Sequence, residues 1–259
     1  MARPRRAAWT ACLTLVALAG CDERVDVGSN VLWTALFEDG TVGEWTGTPG
    51  GAAIAAPAPP NTITVSTTYA HRGHYGAELT IDAGPDGVQE NAGLVRKGDL
   101  PVEAYYSAWY YIPTTVTVGA FWLIFKFRLR TDVTDTTTEN ELYDFDIVNT
   151  ASGQLTVSIF DHQTSAALPL EVTSPIIPVS VWFQVEAFYR NTNDASGQVI
   201  FWLDGQEIAR LDGPMAPTPW VEWDVVNVGE VLTPNAVTVA VDDCAVSLSR
   251  VGPTGLLAE

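Results

Sequence analysis

The sequence predicts an all-β domain in which two antiparallel sheets pack face to face. Three observations support this prediction. Apolar and polar residues alternate in short runs, Gly, Pro, Asn and Asp residues separate those runs, and no capped stretch with helical periodicity interrupts them. The Asp204-Gly205 pair between two such runs is a strong hairpin signal. Nine Trp, nine Phe and eight Tyr residues supply the apolar area for one large core.

The predicted strands follow one another at intervals that suit a sandwich, and no repeat of fixed period is present. One low-complexity stretch, Pro49 to Pro60, is predicted to be a surface loop or an edge excursion. In chain order the strands are Leu32–Phe37, Thr62–Val65, Tyr75–Asp82, Glu103–Ile112, Ala120–Arg130, Glu141–Asn149, Gln154–Asp161, Trp182–Arg190, Val199–Leu203, Gln206–Leu211, Trp223–Val228 and Val237–Leu248.

Two of these strands each combine a dry face with a face of mixed polar and aromatic residues. Such a mixed face is more typical of a ligand groove than of a face that is simply exposed to solvent. In the first strand, strict alternation separates Phe121, Leu123, Phe125, Phe127 and Leu129 from Trp122, Ile124, Lys126, Arg128 and Arg130. In the second, it separates Phe183, Val185, Ala187 and Tyr189 from Gln184, Glu186, Phe188 and Arg190.

The N-terminus has the pattern of a secretory signal peptide. Arg3, Arg5 and Arg6 precede an apolar run that is too short to span a bilayer comfortably. The run ends in Leu-Ala-Gly-Cys at Cys21, which resembles the bacterial lipobox and implies that this Cys carries lipid. We therefore expect a signal peptide over 1–20, a lipid-anchored tether over 21–31, the domain over 32–252 and a tail over 253–259. The expected location is the bacterial cell envelope, outside the cytoplasm; an ordinary cleaved signal is the alternative.

The cysteine content and the net charge limit which structural and functional classes of protein fit this sequence. Of the three Cys residues, Cys12 leaves with the signal and Cys21 takes lipid, so Cys244 has no internal partner and is expected to be a small buried hydrophobe. The formal net charge is −18, and loss of the signal makes it three units more negative. This charge argues against nucleic acid and against adsorption onto anionic lipid.

Several segments of the chain carry a resemblance to a known family when they are taken in order. They are Phe37-Glu38-Asp39-Gly40 with Glu44-Trp45, 105–113, 121–127, 182–190, 197–205 and 241–247. Together they resemble the concanavalin A-like jelly rolls, and within them the heparin lyase I-like polysaccharide lyases. The resemblance covers about residues 32–252 and is more specific for the fold than for lyase activity. It implies a concave sheet that binds a glycan, and removal of the proton beside a uronic acid carboxyl group with loss of the glycosidic oxygen.

That chemistry needs a base, an acid and a group that neutralises the carboxylate. Lys126, Arg128 or Gln184 is the candidate neutraliser, and His162 or Tyr110 is the candidate base. The alternatives are that the cations balance acids on a neighbouring strand, such as Asp144 and Asp146, and that the tyrosines belong to the core. Further substrate-binding candidates are Trp122, Arg130, Glu186, Phe188 and Arg190.

The sequence is also compatible with two other functions and with one structural metal ion. Asp144 and Asp146 share a strand face, as the carboxylates of a glycoside hydrolase would, but Glu141 is out of phase with them. The same face can also serve a non-catalytic carbohydrate-binding or adhesion module. No cofactor is indicated with certainty. Asp39 with Asp242 and Asp243 offers oxygen ligands for a structural Ca²⁺, and turn chemistry is the alternative.

Overall fold

The computed structural model describes residues 30–46, 52–55, 60–82, 89–97, 100–130, 140–215, 220–231 and 236–254. The predicted signal peptide and Cys21 lie outside these residues. Within the described part of the chain, no helix has the length and apolar character needed to cross a membrane.

The regular secondary structure of the described residues is almost entirely strand. Its one helix, α1, is a single turn over Gly43–Thr46. The strands are β1 (Val31–Ala35), β2 (Ala52–Ala55), β3 (Thr62–Ser66), β4 (Gly76–Ile81), β5 (Glu90–Lys97), β6 (Glu103–Tyr111), β7 (Val118–Arg130), β8 (Asn140–Asn149), β9 (Leu155–Asp161), β10 (Ala166–Ala167), β11 (Phe183–Arg190), β12 (Gln198–Leu203), β13 (Gln206–Asp212), β14 (Trp220–Val231) and β15 (Val237–Ser247).

These strands form two antiparallel sheets with the core between them, which confirms the predicted two-sheet sandwich. One sheet has the order β13-β12-β11-β6-β15-β4-β3, with β1 also paired to β15. The other, called here the groove sheet, has the order β10-β9-β8-β7-β14-β5-β2. Every predicted strand is present. β2 lies inside the low-complexity stretch, and β5 and β10 were not predicted.

The alternation predicted for β11 is confirmed, whereas that for β7 is wrong over its first half. In β7, Leu123 pairs with Asp146 and Phe125 pairs with Phe145, so Ile124 is an additional residue that has no counterpart in β8. This bulge lets Ile124 and Phe125 both enter the core.

The bulge inverts the faces of β7 on its N-terminal side. Trp122 therefore packs in the core, while Phe121 and Leu123 lie on the outer face that also carries Lys126 and Arg128. The neighbouring strand β14 also has apolar residues on this outer face. Its Val226 and Val228 join Leu123 in a small apolar cluster outside the main core.

A second bulge lies in β8 and changes which acids share a face. Phe127 pairs with Tyr143 and Arg128 pairs with Glu141, so Leu142 is the additional residue. Leu142 and Tyr143 both enter the core. The prediction that Glu141 is out of phase with Asp144 and Asp146 is therefore wrong, because all three line the same outer face.

Candidate functional site

The outer face of the groove sheet contains a cleft of about 520 Å³. This groove has one apolar wall and one charged wall, which is the composition expected of a ligand site. The apolar lining comes from Phe121, Leu123, Val148, Phe160 and Val228, and the charged lining comes from Glu141, Asp144, Asp146 and His162.

His162 is held at the charged wall by two carboxylates. It follows the last residue of β9, and its Nε2 lies 2.7 Å from Asp144 Oδ2 and 3.5 Å from Glu141 Oε2. Asp144 and Glu141 belong to the neighbouring strand β8, so the pairing of β8 with β9 sets this geometry. The arrangement fixes the orientation of the imidazole ring and leaves Nδ1 as its second nitrogen.

Lys126 and Arg128 lie next to Glu141 but are not among the residues that line the groove, and both are paired with acids. Lys126 Nζ lies 3.4 Å from Glu141 Oε1 and 3.9 Å from Asp224 Oδ2. Arg128 Nε lies 3.1 Å from Asp224 Oδ2 and 4.0 Å from Glu222 Oε1. The two cations therefore balance acids on both neighbouring strands, β8 and β14, and the charge of Lys126 also acts on Asp146, where it lowers the pKa against the effect of burial.

Burial changes the protonation of several groups in this network. The hydrogen bond to Asp144 raises the pKa of His162 above its ordinary value. Burial, with the nearby Asp144 carboxylate as the second cause, raises the pKa of Asp146 to about 8. Burial and then Glu222 raise the pKa of Asp224 well above its ordinary value. Asp146 thus favours the neutral form at neutral pH, which lowers the negative charge of the groove.

The structure brings together three of the residues predicted for catalysis, Lys126, Arg128 and His162. It separates Trp122 and Tyr110 from them. Trp122 is fully buried and donates through Nε1 to Asn227 Oδ1 at 2.9 Å. Tyr110 is also in the core, where its hydroxyl donates to the Ile124 carbonyl at 3.2 Å. The expectation that Trp122 lies beside Lys126 is wrong, and the bulge at Ile124 is the reason.

Gln184 and Glu186 lie on the opposite outer face of the sandwich, because β11 belongs to the other sheet. Both are fully buried beneath the segment that follows β15. Gln184 donates to the Gly252 carbonyl, and Glu186 accepts the backbone N–H groups of Val251 and Gly252. The expectation that they share a groove with Lys126 is therefore wrong: they anchor the C-terminal segment.

The remaining substrate-binding candidates are also outside the groove or cannot be placed in it. Phe188 packs with Ile200 and Trp202 on the outer face of the other sheet. On the same face, Arg190 Nε lies 2.5 Å from Glu103 Oε2. Arg130 pairs through its backbone with Trp220, and its side chain lies outside the described residues.

The three predicted calcium ligands all accept hydrogen bonds from nearby groups. Asp39 accepts from Thr41 in a turn. Asp242 accepts the backbone N–H of His71 at 2.8 Å, and Asp243 Oδ2 lies 2.7 Å from His71 Nδ1. These bonds fix the loop that carries His71, and a structural Ca²⁺ at this place stays a prediction.

Sequence reasoning missed Glu141 as a member of the site. The residue was visible in the sequence, but its place depends on the bulge at Leu142, and the residues of β8 alone do not show that bulge. His162 was a candidate base, and it lines the groove together with Ser158 and Phe160. Cys244 is buried as expected.

The fold and the groove define the class as jelly-roll sandwiches, a fold that polysaccharide lyases share. A variant of alginate lyase Aly36B in complex with an alginate tetrasaccharide is similar with a TM-score of 0.59 and 9% identity, over 88% of this chain and 98% of that chain. The endo-β-1,4-glucuronan lyase from the fungus Trichoderma reesei is similar with a TM-score of 0.57 and 11% identity, over 85% and 96%.

A third structure extends this likeness. Alginate lyase vAL-1 from Chlorella virus is similar with a TM-score of 0.51 and 11% identity, over 85% of this chain and 100% of that chain. No family model and no curated protein sequence matches the chain. At these identities the likeness establishes the fold, and the activity has to be argued from the groove.

Proposed function

We propose that this protein binds a polysaccharide in the groove and cleaves uronate-containing chains by β-elimination. The observation that carries the proposal is the His162–Asp144 pair at 2.7 Å, set in the wall of an open groove beside Lys126 and Arg128. The fold shared with alginate and glucuronan lyases supports it. The apolar wall supplies the contact surface for sugar rings.

The proposed reaction follows from the positions of these groups. Asp144 accepts the Nε2–H of neutral His162, so Nδ1 is the nitrogen that takes the proton from the carbon beside the uronate carboxyl group. The electron pair of that C–H bond forms a carbon–carbon double bond, and the glycosidic carbon–oxygen bond breaks. The departing oxygen takes up a proton. Lys126 and Arg128 do not line the groove, so their charges stabilise the negative charge that develops on the uronate carboxylate from a distance, from their places beside Glu141.

Hydrolysis is the second candidate, and the bulge at Leu142 favours it. That bulge places Glu141 on the same face as Asp144 and Asp146. Glycoside hydrolases use two carboxyl groups on either side of the scissile bond. The products distinguish the two reactions, because elimination leaves an unsaturated sugar and hydrolysis adds one water.

The test is a panel of uronate-bearing and neutral polysaccharides incubated with the purified full chain, with products analysed by mass spectrometry. We expect unsaturated fragments, each lighter by one water than the corresponding hydrolysis product. The His162→Gln variant should lose them, and the matched control His74→Gln, in an exposed loop, should keep them. Saturated fragments would support hydrolysis instead.

The same panel also tests the non-catalytic alternative. If the chain retains a glycan but leaves every polymer intact, the groove belongs to a binding or adhesion module. If it neither cleaves nor retains any glycan, the proposal is wrong.

We also propose that Cys21 carries lipid and anchors the protein outside the cytoplasm. The support is the sequence alone: a basic start, a short apolar run and the ending Leu-Ala-Gly-Cys. In detergent phase partitioning of a bacterial extract, the intact chain should enter the detergent phase and Cys21→Ser should enter the aqueous phase. Identical partitioning of the two chains would contradict the anchor.

A further inference from the structure

We propose that the charged wall of the groove is a binding site for a divalent transition-metal ion, held by Glu141, Asp144 and His162, with Asp146 beside them. The first three side chains each offer one ligand atom, and these atoms all lie within 4.8 Å of one another. A tetrahedral ion with metal–ligand bonds of about 2.0–2.2 Å separates its ligand atoms by about 3.3–3.6 Å. The 2.7 and 3.5 Å separations from His162 Nε2 therefore need shifts of less than about 1 Å.

A second observation, independent of that cluster, points to a positively charged ligand. Asp146 lines the same groove and is 91% buried, yet its Oδ1 has no hydrogen-bond partner among the described residues. Asp144 Oδ1 is buried and lacks a hydrogen-bond partner in the same way. A buried carboxylate oxygen without a donor is costly, at about 1–3 kcal/mol or more. A cation at the charged wall would give both carboxyl groups a positively charged partner.

The donor set indicates which class of ion fits. One imidazole nitrogen with carboxylate oxygens suits Zn²⁺ or Mn²⁺, whereas Ca²⁺ and Mg²⁺ prefer oxygen alone. Lys126 occupies the Oε1 side of Glu141 at 3.4 Å, which leaves Oε2, the oxygen that faces His162, for the metal. The charges of Lys126 and Arg128 oppose a cation, and the Glu141 and Asp144 carboxylates that hold the ion offset them.

Occupancy would have a consequence for the proposed cleavage, and this consequence alone rests on the proposed function. A metal on Nε2 breaks the His162–Asp144 hydrogen bond and withdraws electron density from the ring. The neutral ring then carries its proton on Nδ1, which has no lone pair to accept another proton, so the ion would inhibit elimination. The site would make the enzyme sensitive to the free transition-metal concentration around it.

The primary experiment measures metal binding without any glycan. The full chain is freed of metal with EDTA, dialysed, and titrated with Zn²⁺ in a calorimeter. We expect one Zn²⁺ to bind per chain, with affinity lowered at least about tenfold in Asp146→Asn and in His162→Gln, a loss that even outer-shell partners of a metal cause. His74→Gln is the matched control and should bind as the original chain does.

Two further measurements on the unchanged chain keep the test independent of how the variants fold. Co²⁺ should give visible absorption bands that Zn²⁺ abolishes by displacement, and an excess of Ca²⁺ or Mg²⁺ should leave those bands unchanged. The proposal is overturned if Zn²⁺ does not bind saturably, if both variants bind as tightly as the original chain, or if Ca²⁺ displaces Co²⁺.

Cleavage is measured separately, so the two proposals can fail separately. Zn²⁺ binding with no cleavage in EDTA would leave the metal site standing and refute the proposed lyase. Cleavage that is equally fast with and without EDTA, in a chain that binds no Zn²⁺, would support the proposed lyase and refute the metal site.

Discussion

The bulge at Ile124 determines the roles of two adjacent residues, Trp122 and Phe121. Strict alternation along β7 would assign these two roles the other way round. Trp122 lies in the core and donates to Asn227 Oδ1 at 2.9 Å, whereas Phe121 lines the groove. Substitution of Trp122 should therefore act on stability, and substitution of Phe121 should act on ligand binding. We choose Trp122→Phe and Phe121→Ser to separate the two effects.

The size of the stability change can be worked from the contacts of Trp122. Trp122→Phe removes the N–H that satisfies Asn227 Oδ1 in a fully buried place, which costs about 1–3 kcal/mol. The two bonds that Asn227 Nδ2 donates, to the carbonyls of Leu79 and Val237, remain. At about 2–4 °C per kcal/mol for a domain of this size, Tm should fall by about 2–12 °C.

The assay is scanning calorimetry of the two variants and the original chain, together with glycan retention in affinity electrophoresis. We expect Trp122→Phe to lower Tm and, below its transition, to retain glycan as the original chain does. Phe121→Ser should weaken retention with the smaller change in Tm. If Trp122→Phe leaves Tm unchanged and abolishes retention, the reasoning from the bulge is wrong.

Three further predictions follow from buried groups. Arg128→Ala should lower the free energy of unfolding by up to about 3 kcal/mol in urea titration, because Asp224 loses its nearest cation; an unchanged midpoint would show that this pair adds nothing. Glu186→Gln should speed hydrogen exchange after β15, since a carboxylate oxygen that accepts two backbone N–H groups there becomes an amide; unchanged exchange would contradict that anchoring role. Cys244 is buried, and burial raises its thiol pKa, so peptide mapping should find it alkylated only after unfolding.

The alternation within single strands was readable from the sequence, because it depends on residues that are neighbours in the chain. In β11 the core positions from Phe183 to Tyr189 are as expected. In β6 Tyr106 and Tyr110 also share one face, as alternation predicts, and that face is the core, although Tyr110 was a candidate base. Both strands pair with their partners without a bulge along the β6–β11 ladder, so period two holds throughout.

Sheet membership and bulges were not readable, because both are properties of pairs of strands. The polar faces of β7 and β11 look alike in sequence, yet they point to opposite sides of the sandwich. β5 was missed because Asn91 and Gly93 interrupt its apolar pattern, although the strand is paired along its whole length with β14. The position of Glu141 depended on Leu142 in the same way.

The two bulges also determine where the groove changes from dry to charged. On one side of Ile124 the outward residues of β7 are Phe121 and Leu123, and on the other side they are Lys126 and Arg128. Deleting Ile124 alone would turn Trp122 outward and send its two neighbours inward, with no other residue replaced. Which side chains face the groove thus depends on the number of residues in β7 as much as on their types. A homologue that differs by one residue at this point would present a different ligand surface on the same fold.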